Sequence, residues 1–199
     1  MVLVTGGLSL LDAPRAASTG GRVFTPLAQI DAGAAGGSAA MESALRTDAP
    51  IDGERWTAIV VHHSGSPADT PESIDERHRR AGLAGLGYHF VIGNGTRMGD
   101  GDVHAGARWL AQQPGAHVAG RRGAELNQTA IGVCLVGDGD RRAPTDTQMR
   151  VLVRLVSELA REMDIPRDRI VLHSDLVPTS SPGRLFPASL FYEQIAWLP

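Results

Sequence analysis

Apolar and polar residues alternate along this chain in two distinct ways, and each predicts its own kind of element. Thr57 to His62 and Ile131 to Val136 are nearly unbroken apolar runs of strand-forming residues, the pattern of central, buried strands. Tyr88 to Ile92 and Ile170 to Leu172 predict two more strands. Between them the period lengthens. Thr145-Asp146-Thr147-Gln148 is a capping-box sequence, and Met149, Leu152, Val153, Val156, Leu159, Ala160 and Met163 follow it at helical spacing until Pro166 closes the segment. Thr70 caps a shorter helix with Pro71 in its first turn, running to about Ala81 with Ile74, His78 and Ala81 on one stripe. Gly93-Asn94-Gly95-Thr96 has the turn chemistry of a hairpin, and residues from Pro187 to Trp197 suggest a short terminal helix. Strands alternating with helices, with one hairpin among them, predict an α/β domain: a central mixed β-sheet flanked by helices.

Two stretches show neither period. Residues 1–50 are rich in Ala, Gly and Ser and read as an irregular leader or linker, leaving 51–199 as the folded domain, with its first strand entered near Trp56. Met1 to Leu11 is faintly like a secretory signal, with small residues following at Ala16-Ala17-Ser18, but it lacks a basic start and glycines break its apolar centre. Gly99 to Gln128 reads as loop, and a loop of that length is more often functional than idle.

Composition removes whole classes of function. A net charge of -3 gives no electrostatic case for nucleic acid. All the basic residues are Arg, so no lysine nucleophile or Schiff base is available. The single cysteine, Cys134, lies inside a predicted central strand as a small buried hydrophobe, and one cysteine makes no intrachain disulfide. No apolar run approaches the roughly 20 residues of a spanning helix.

The candidate chemistry is histidine at strand ends. Val60-Val61-His62-His63 and Ile170-Val171-Leu172-His173 both finish an apolar run on imidazole, where sites are built. Strand alternation sends His62 and His63 to opposite faces, so one of them faces a given pocket. If His62 and His173 share a sheet end they can share a metal, and imidazole suits zinc.

Five short motifs, in order, then resemble one family. They are Val60-Val61-His62-His63-Ser64, Gly87-Tyr88-His89-Phe90, Gly115-Ala116-His117, Ile131-Gly132-Val133-Cys134-Leu135-Val136-Gly137, and His173-x-Asp175-x-x-Pro178-Thr179-x-Ser181-Pro182-Gly183. Together they resemble the zinc N-acetylmuramoyl-L-alanine amidases, which include the phage lysozyme-type amidases and the peptidoglycan recognition proteins. The likeness covers about residues 55–199. It implies Zn2+ held by His62 and His173, with the third ligand position falling on Ser181. Catalytic members carry Cys there, or Asp in one branch; Ser at this position is a familiar sign of recognition proteins that bind without cutting. Tyr88 matches the tyrosine that orients the attacking water, and Thr179 the threonine that meets the substrate carbonyl or oxyanion. His117 and Asn127 match positions lining the substrate groove. Asp175 is a candidate replacement ligand or, more often for such a residue, a support for the loop.

The expected function is therefore zinc-dependent hydrolysis of the amide between N-acetylmuramic acid and L-alanine in peptidoglycan. The alternative is a non-catalytic peptidoglycan-binding module, for which Ser181 argues; a purely structural protein with incidental histidines is the third and weakest reading. Expected partners are peptidoglycan or muropeptide and neither nucleic acid nor a membrane span. A monomer working outside the cytoplasmic membrane is expected from the substrate.

Overall fold

The computed structural model describes residues 35–198. The signal-like stretch at the start of the chain lies outside them. The elements run α1 (Ala35–Leu45), β1 (Ala58–His63), α2 (Pro71–Arg80), β2 (Phe90–Ile92), β3 (Val103–Ala105), α3 (Ala107–Leu110), α4 (Arg121–Thr129), β4 (Ala130–Leu135), α5 (Asp146–Glu162), β5 (Ile170–Leu172), α6 (His173–Leu176) and α7 (Ala188–Gln194). Five strands form one sheet in the order β3-β2-β4-β1-β5. β1 runs parallel to β4 and β5, β2 runs parallel to β4, and only β3 is antiparallel, paired to β2. The mixed sheet flanked by helices is the architecture expected from the sequence.

The two longest strands, β1 and β4, lie at the centre with every residue buried except half-buried His63. That explains their unbroken apolar runs, since covered parallel strands have no wet face to mark with polar residues. One face of the sheet carries Ile59, Val61, Phe90, Ile92, Ile131, Val133, Leu135, Ile170 and Leu172 into the main core. Helix α5 closes that core with Met149, Leu152, Val153, Val156, Leu159 and Ala160. Its capping box forms as expected, Thr145 accepting from the Gln148 N–H and Gln148 Oε1 accepting from the Thr145 N–H. Gln148 does more than cap: its Nε2 donates to the carbonyls of Ile92 and Val136, tying the helix start to the ends of β2 and β4.

Helix α2 covers the opposite face. Thr70 caps it through Ser73, and Ile74 is buried with Val91, Cys134 and Val136. Arg77 grips Asp69 through both guanidinium nitrogens, each at 2.9 Å, and also donates to the Ser64 carbonyl, which fixes α2 over the loop leaving β1. Burial works against the Asp69 carboxylate, but hydrogen bonds from Arg77 hold its pKa below the ordinary value.

Two readings change. Residues 35–50, expected to be irregular, contain α1, whose Met41 and Ala44 are buried, and the Asp48 and Ala49 N–H groups both donate to the Leu110 carbonyl. The segment Ala35–Leu45 holds two glycines, so it shows no periodic apolar signal before it docks. Gly99 to Gln128, read as loop, holds β3, α3 and α4. β3 and α3 are too short to display a period, and the nine residues of α4 carry a mid-helix glycine and one large apolar residue, Leu126. The hairpin at Gly93 is present, with β2 and β3 joined through hydrogen bonds from Gly93 N to Asp102 O and from Gly101 N to Gly93 O. Among the described residues no helix is long and apolar enough to cross a membrane.

Candidate functional site

Strand register brings the two strand-end histidines together. Ile59, Val60 and Val61 of β1 stand beside Ile170, Val171 and Leu172 of β5. One further step places His62 beside His173, and their ring centroids are 4.3 Å apart. His63 goes the other way: its Nδ1 accepts from the Gly139 N–H, and it lines a separate cavity of about 110 Å³ with Pro67, Asn94, Arg142 and Pro182. Alternation thus selects His62 for the cluster.

Two more aromatic side chains close on His62. The Tyr88 ring lies 5.1 Å and the His117 ring 5.0 Å from it, centroid to centroid. His62 Nε2 and His117 Nδ1 are 3.0 Å apart, and His117 Nε2 lies 3.1 Å from the Ala130 carbonyl oxygen. The Tyr88 hydroxyl is hydrogen-bonded with the Cys134 thiol, and burial first, then that thiol, raises its pKa well above the ordinary phenol range. Asn127 turns its amide to the backbone around His117. Its Oδ1 accepts from the His117 and Val118 N–H groups and its Nδ2 donates to the Val118 carbonyl, so it shapes the turn that carries His117.

The loop after β5 forms the rim. Ser181 is buried, and its Oγ accepts from the His63 N–H at 3.1 Å. Exposed Thr179 accepts from the Ser181 N–H through Oγ1. Asp175 Oδ2 accepts from the Leu172 N–H and the Tyr192 hydroxyl, so it braces the start of α6. Gly183 packs its backbone against Gly139, where a Cβ on either residue would collide with the other segment's main chain. The Pro182-Gly183 motif and the glycine after β4 are therefore one contact seen from two sides.

Electrostatics keeps the cluster neutral. Burial first, then the neighbouring His117, His173 and His63, lowers the His62 pKa well below its ordinary value. Burial lowers that of His173, with His63 adding to it, and takes His117 down to about 3 and His89 to about 4. At neutral pH these rings carry lone pairs, not charge.

Three further participants were given no role by the sequence. His78 packs its ring 5.4 Å from Tyr88 and accepts from the Gly87 N–H. His89 accepts from the Gly132 N–H through Nδ1, with Nε2 against the Gln113 carbonyl. Asp69 holds the helix overhead through Arg77. The helical stripe containing His78 was the one available hint.

Paired strand-end histidines beneath a helix, with a Ser-Pro-Gly loop at the rim, define an amidase-type site on an α/β frame. The model of the family described as N-acetylmuramoyl-L-alanine amidase matches residues 52–184, and the chain belongs to that family. It is 33% identical over 138 residues to an endolysin of Klebsiella phage KP32, covering 65% of this chain and 82% of that one. It is 28% identical over 149 residues to peptidoglycan-recognition protein 2 of Holotrichia diomphalia, covering 70% and 71%. Among solved structures, the N-acetylmuramoyl-L-alanine amidase LysC from Clostridium intestinale superposes with a TM-score of 0.61 at 28% identity, covering 75% of this chain and 92% of that one. A bumblebee recognition protein shares the fold at a TM-score of 0.55 and 22% identity, over 72% and 83%.

The donor set decides how far zinc fits. Two places suit it: His62 is neutral, and His173 Nε2 is buried without a hydrogen-bond partner among the described residues. The third does not. Ser181 offers a neutral oxygen already accepting from the His63 N–H, where a catalytic centre needs a third good ligand. Among the described residues no group of three or more His, Cys, Asp and Glu stands together so as to hold a metal. Of the three, His62 and His173 fit zinc, and Ser181 fits it less well than a thiolate or carboxylate would.

Proposed function

We propose that the chain is a peptidoglycan-binding protein that takes the junction between N-acetylmuramic acid and the stem peptide at the His62–His173 end of the sheet, and that the native chain does not hydrolyse it through zinc. One observation carries this reading: the residue that matches the third ligand is the buried, neutral Ser181, whose Oγ accepts from the His63 N–H. A serine there brings neither the charge nor the strong metal bond of a thiolate or carboxylate. What the site offers a ligand is neutral imidazole, the exposed Thr179 hydroxyl and the rim loop. Relatives named as a recognition protein and as endolysins support peptidoglycan as the partner. That polymer sets the working place outside the cytoplasmic membrane.

Hydrolysis of the N-acetylmuramoyl-L-alanine amide is the second reading, favoured by the buried, partnerless His173 Nε2. An electron-pair acceptor would relieve that atom, and Tyr88 and Thr179 are retained. One experiment separates the two. Zinc content is measured on the purified full-length chain after dialysis, beside Ser181→Cys, with muropeptide binding and cleavage followed in both. The proposal expects the native protein to bind muropeptide without zinc and without cleavage, while Ser181→Cys holds about one zinc per chain. Zinc retained by the native chain together with release of L-alanyl peptide overturns it in favour of the amidase.

A further inference from the structure

His117 sits in a seat built for an imidazole. A Cβ on Gly132 would stand 2.5 Å, and one on Gly115 2.4 Å, from the ring's Cδ2, so two glycines, one of them inside buried β4, clear the space. Asn127 clamps the backbone on either side, and His89 holds the Gly132 N–H. His117 is buried, with both ring nitrogens against described partners.

Those partners place the protons. The Ala130 carbonyl only accepts, so the Nε2 of His117, 3.1 Å away, bears the proton. A neutral ring has one N–H, so Nδ1 carries a lone pair. That lone pair faces His62 Nε2 at 3.0 Å, which must then be the donor.

We propose that His117 is a positioning residue that fixes His62 in the tautomer bearing its proton on Nε2, leaving Nδ1 as the only His62 nitrogen able to receive a ligand. The relay runs Ala130 carbonyl, His117, His62, and it carries one direction of hydrogen bonding from the strand backbone into the site. What arrives at Nδ1 is an electron-pair acceptor or an N–H donor, never a carbonyl oxygen. That consequence for ligand choice rests on the site reading above; the tautomer itself does not.

The test is made on the ligand-free and metal-free full-length protein. Long-range proton–nitrogen NMR correlations on ¹⁵N-labelled protein report which ring nitrogen is protonated, with His62 assigned by the signals lost in His62→Asn. The expected spectrum shows His62 with a protonated Nε2 and an unprotonated Nδ1. His117→Phe fills the seat but offers no acceptor, and is expected to lose this single tautomer. His117→Asn restores an acceptor at the same reach from the backbone, and is expected to keep it. A native His62 with its proton on Nδ1 overturns the proposal whatever His117→Phe does to folding. So does a His62 whose Nε2 stays singly protonated in a folded His117→Phe. Neither result depends on whether the chain binds or cleaves peptidoglycan.

Discussion

The two faces of the sheet are made from the same strands and differ by one residue of register. Facing α5 are Ile59, Val61, Ile131, Val133 and Leu135, a dry set packed against helix α5. On the opposite face are Val60 and His62 on β1 and Gly132 and Cys134 on β4, with Val91 and Tyr88 beside them. One face presents only apolar strand side chains, and the other holds the His62 and His117 imidazoles, the phenol and the thiol. The lesson is that a strand of period two can assign stability to one side and chemistry to the other without lengthening. A buried polar atom on the α2 face needs a partner, and the Ala130 carbonyl and His62 supply them for the two ring nitrogens of His117.

That division predicts which substitutions cost folding and which cost function. Leu152→Ala, fully buried on α5, should lower stability by about 2–5 kcal/mol in chemical denaturation while leaving muropeptide affinity of the folded fraction unchanged. Equal loss of affinity per folded molecule would break the separation of the faces. Gly132→Ala pushes a methyl at the His117 ring and should cost about 1–3 kcal/mol, and unlike Leu152→Ala it should also disturb the His62 signals in NMR.

Acid probes the buried histidines. His89 and His117 are held neutral by burial, with pKa values lowered to about 4 and about 3, against roughly 6.5 in the unfolded chain. Below about 6.5 the unfolded chain takes up protons that the folded one refuses. Their stabilising effect is therefore complete above that pH and declines toward pH 4 and below, with a slope approaching about 1.4 kcal/mol per pH unit for each ring. Denaturation midpoints measured from pH 7 to 4 should fall accordingly, and His117→Phe should flatten the fall. Smallest of all, Thr145→Ala removes the cap of α5 and should cost about 1 kcal/mol, visible as a shift in melting temperature with no change in binding.

How much of this the sequence showed follows from where each signal lives. Helix α5 and strands β1 and β4 were readable because their burial is written in local periodicity. The meeting of His62 with His173 was readable because both end apolar runs that a parallel sheet sets side by side. The roles of Asn127 and His117 were not, since each is defined by partners that register and turn geometry bring in, not by spacing. Ser181 was flagged by its position in a motif, but that its hydroxyl accepts from the His63 backbone is a fact of folding. Elements of three or four residues, such as β3 and α3, exist only because a neighbour pairs or covers them.

Asp140 gives the rim a property of a different kind. It accepts from the Ser180 hydroxyl and from the Arg184 N–H, so one carboxylate on the loop after β4 staples both sides of the turn that carries Ser181. The conformational entropy of that turn is surrendered when the chain folds and is not charged again when a ligand arrives. The rim is thus stiff on the timescale of encounter, and a ligand meets a mould that is already set.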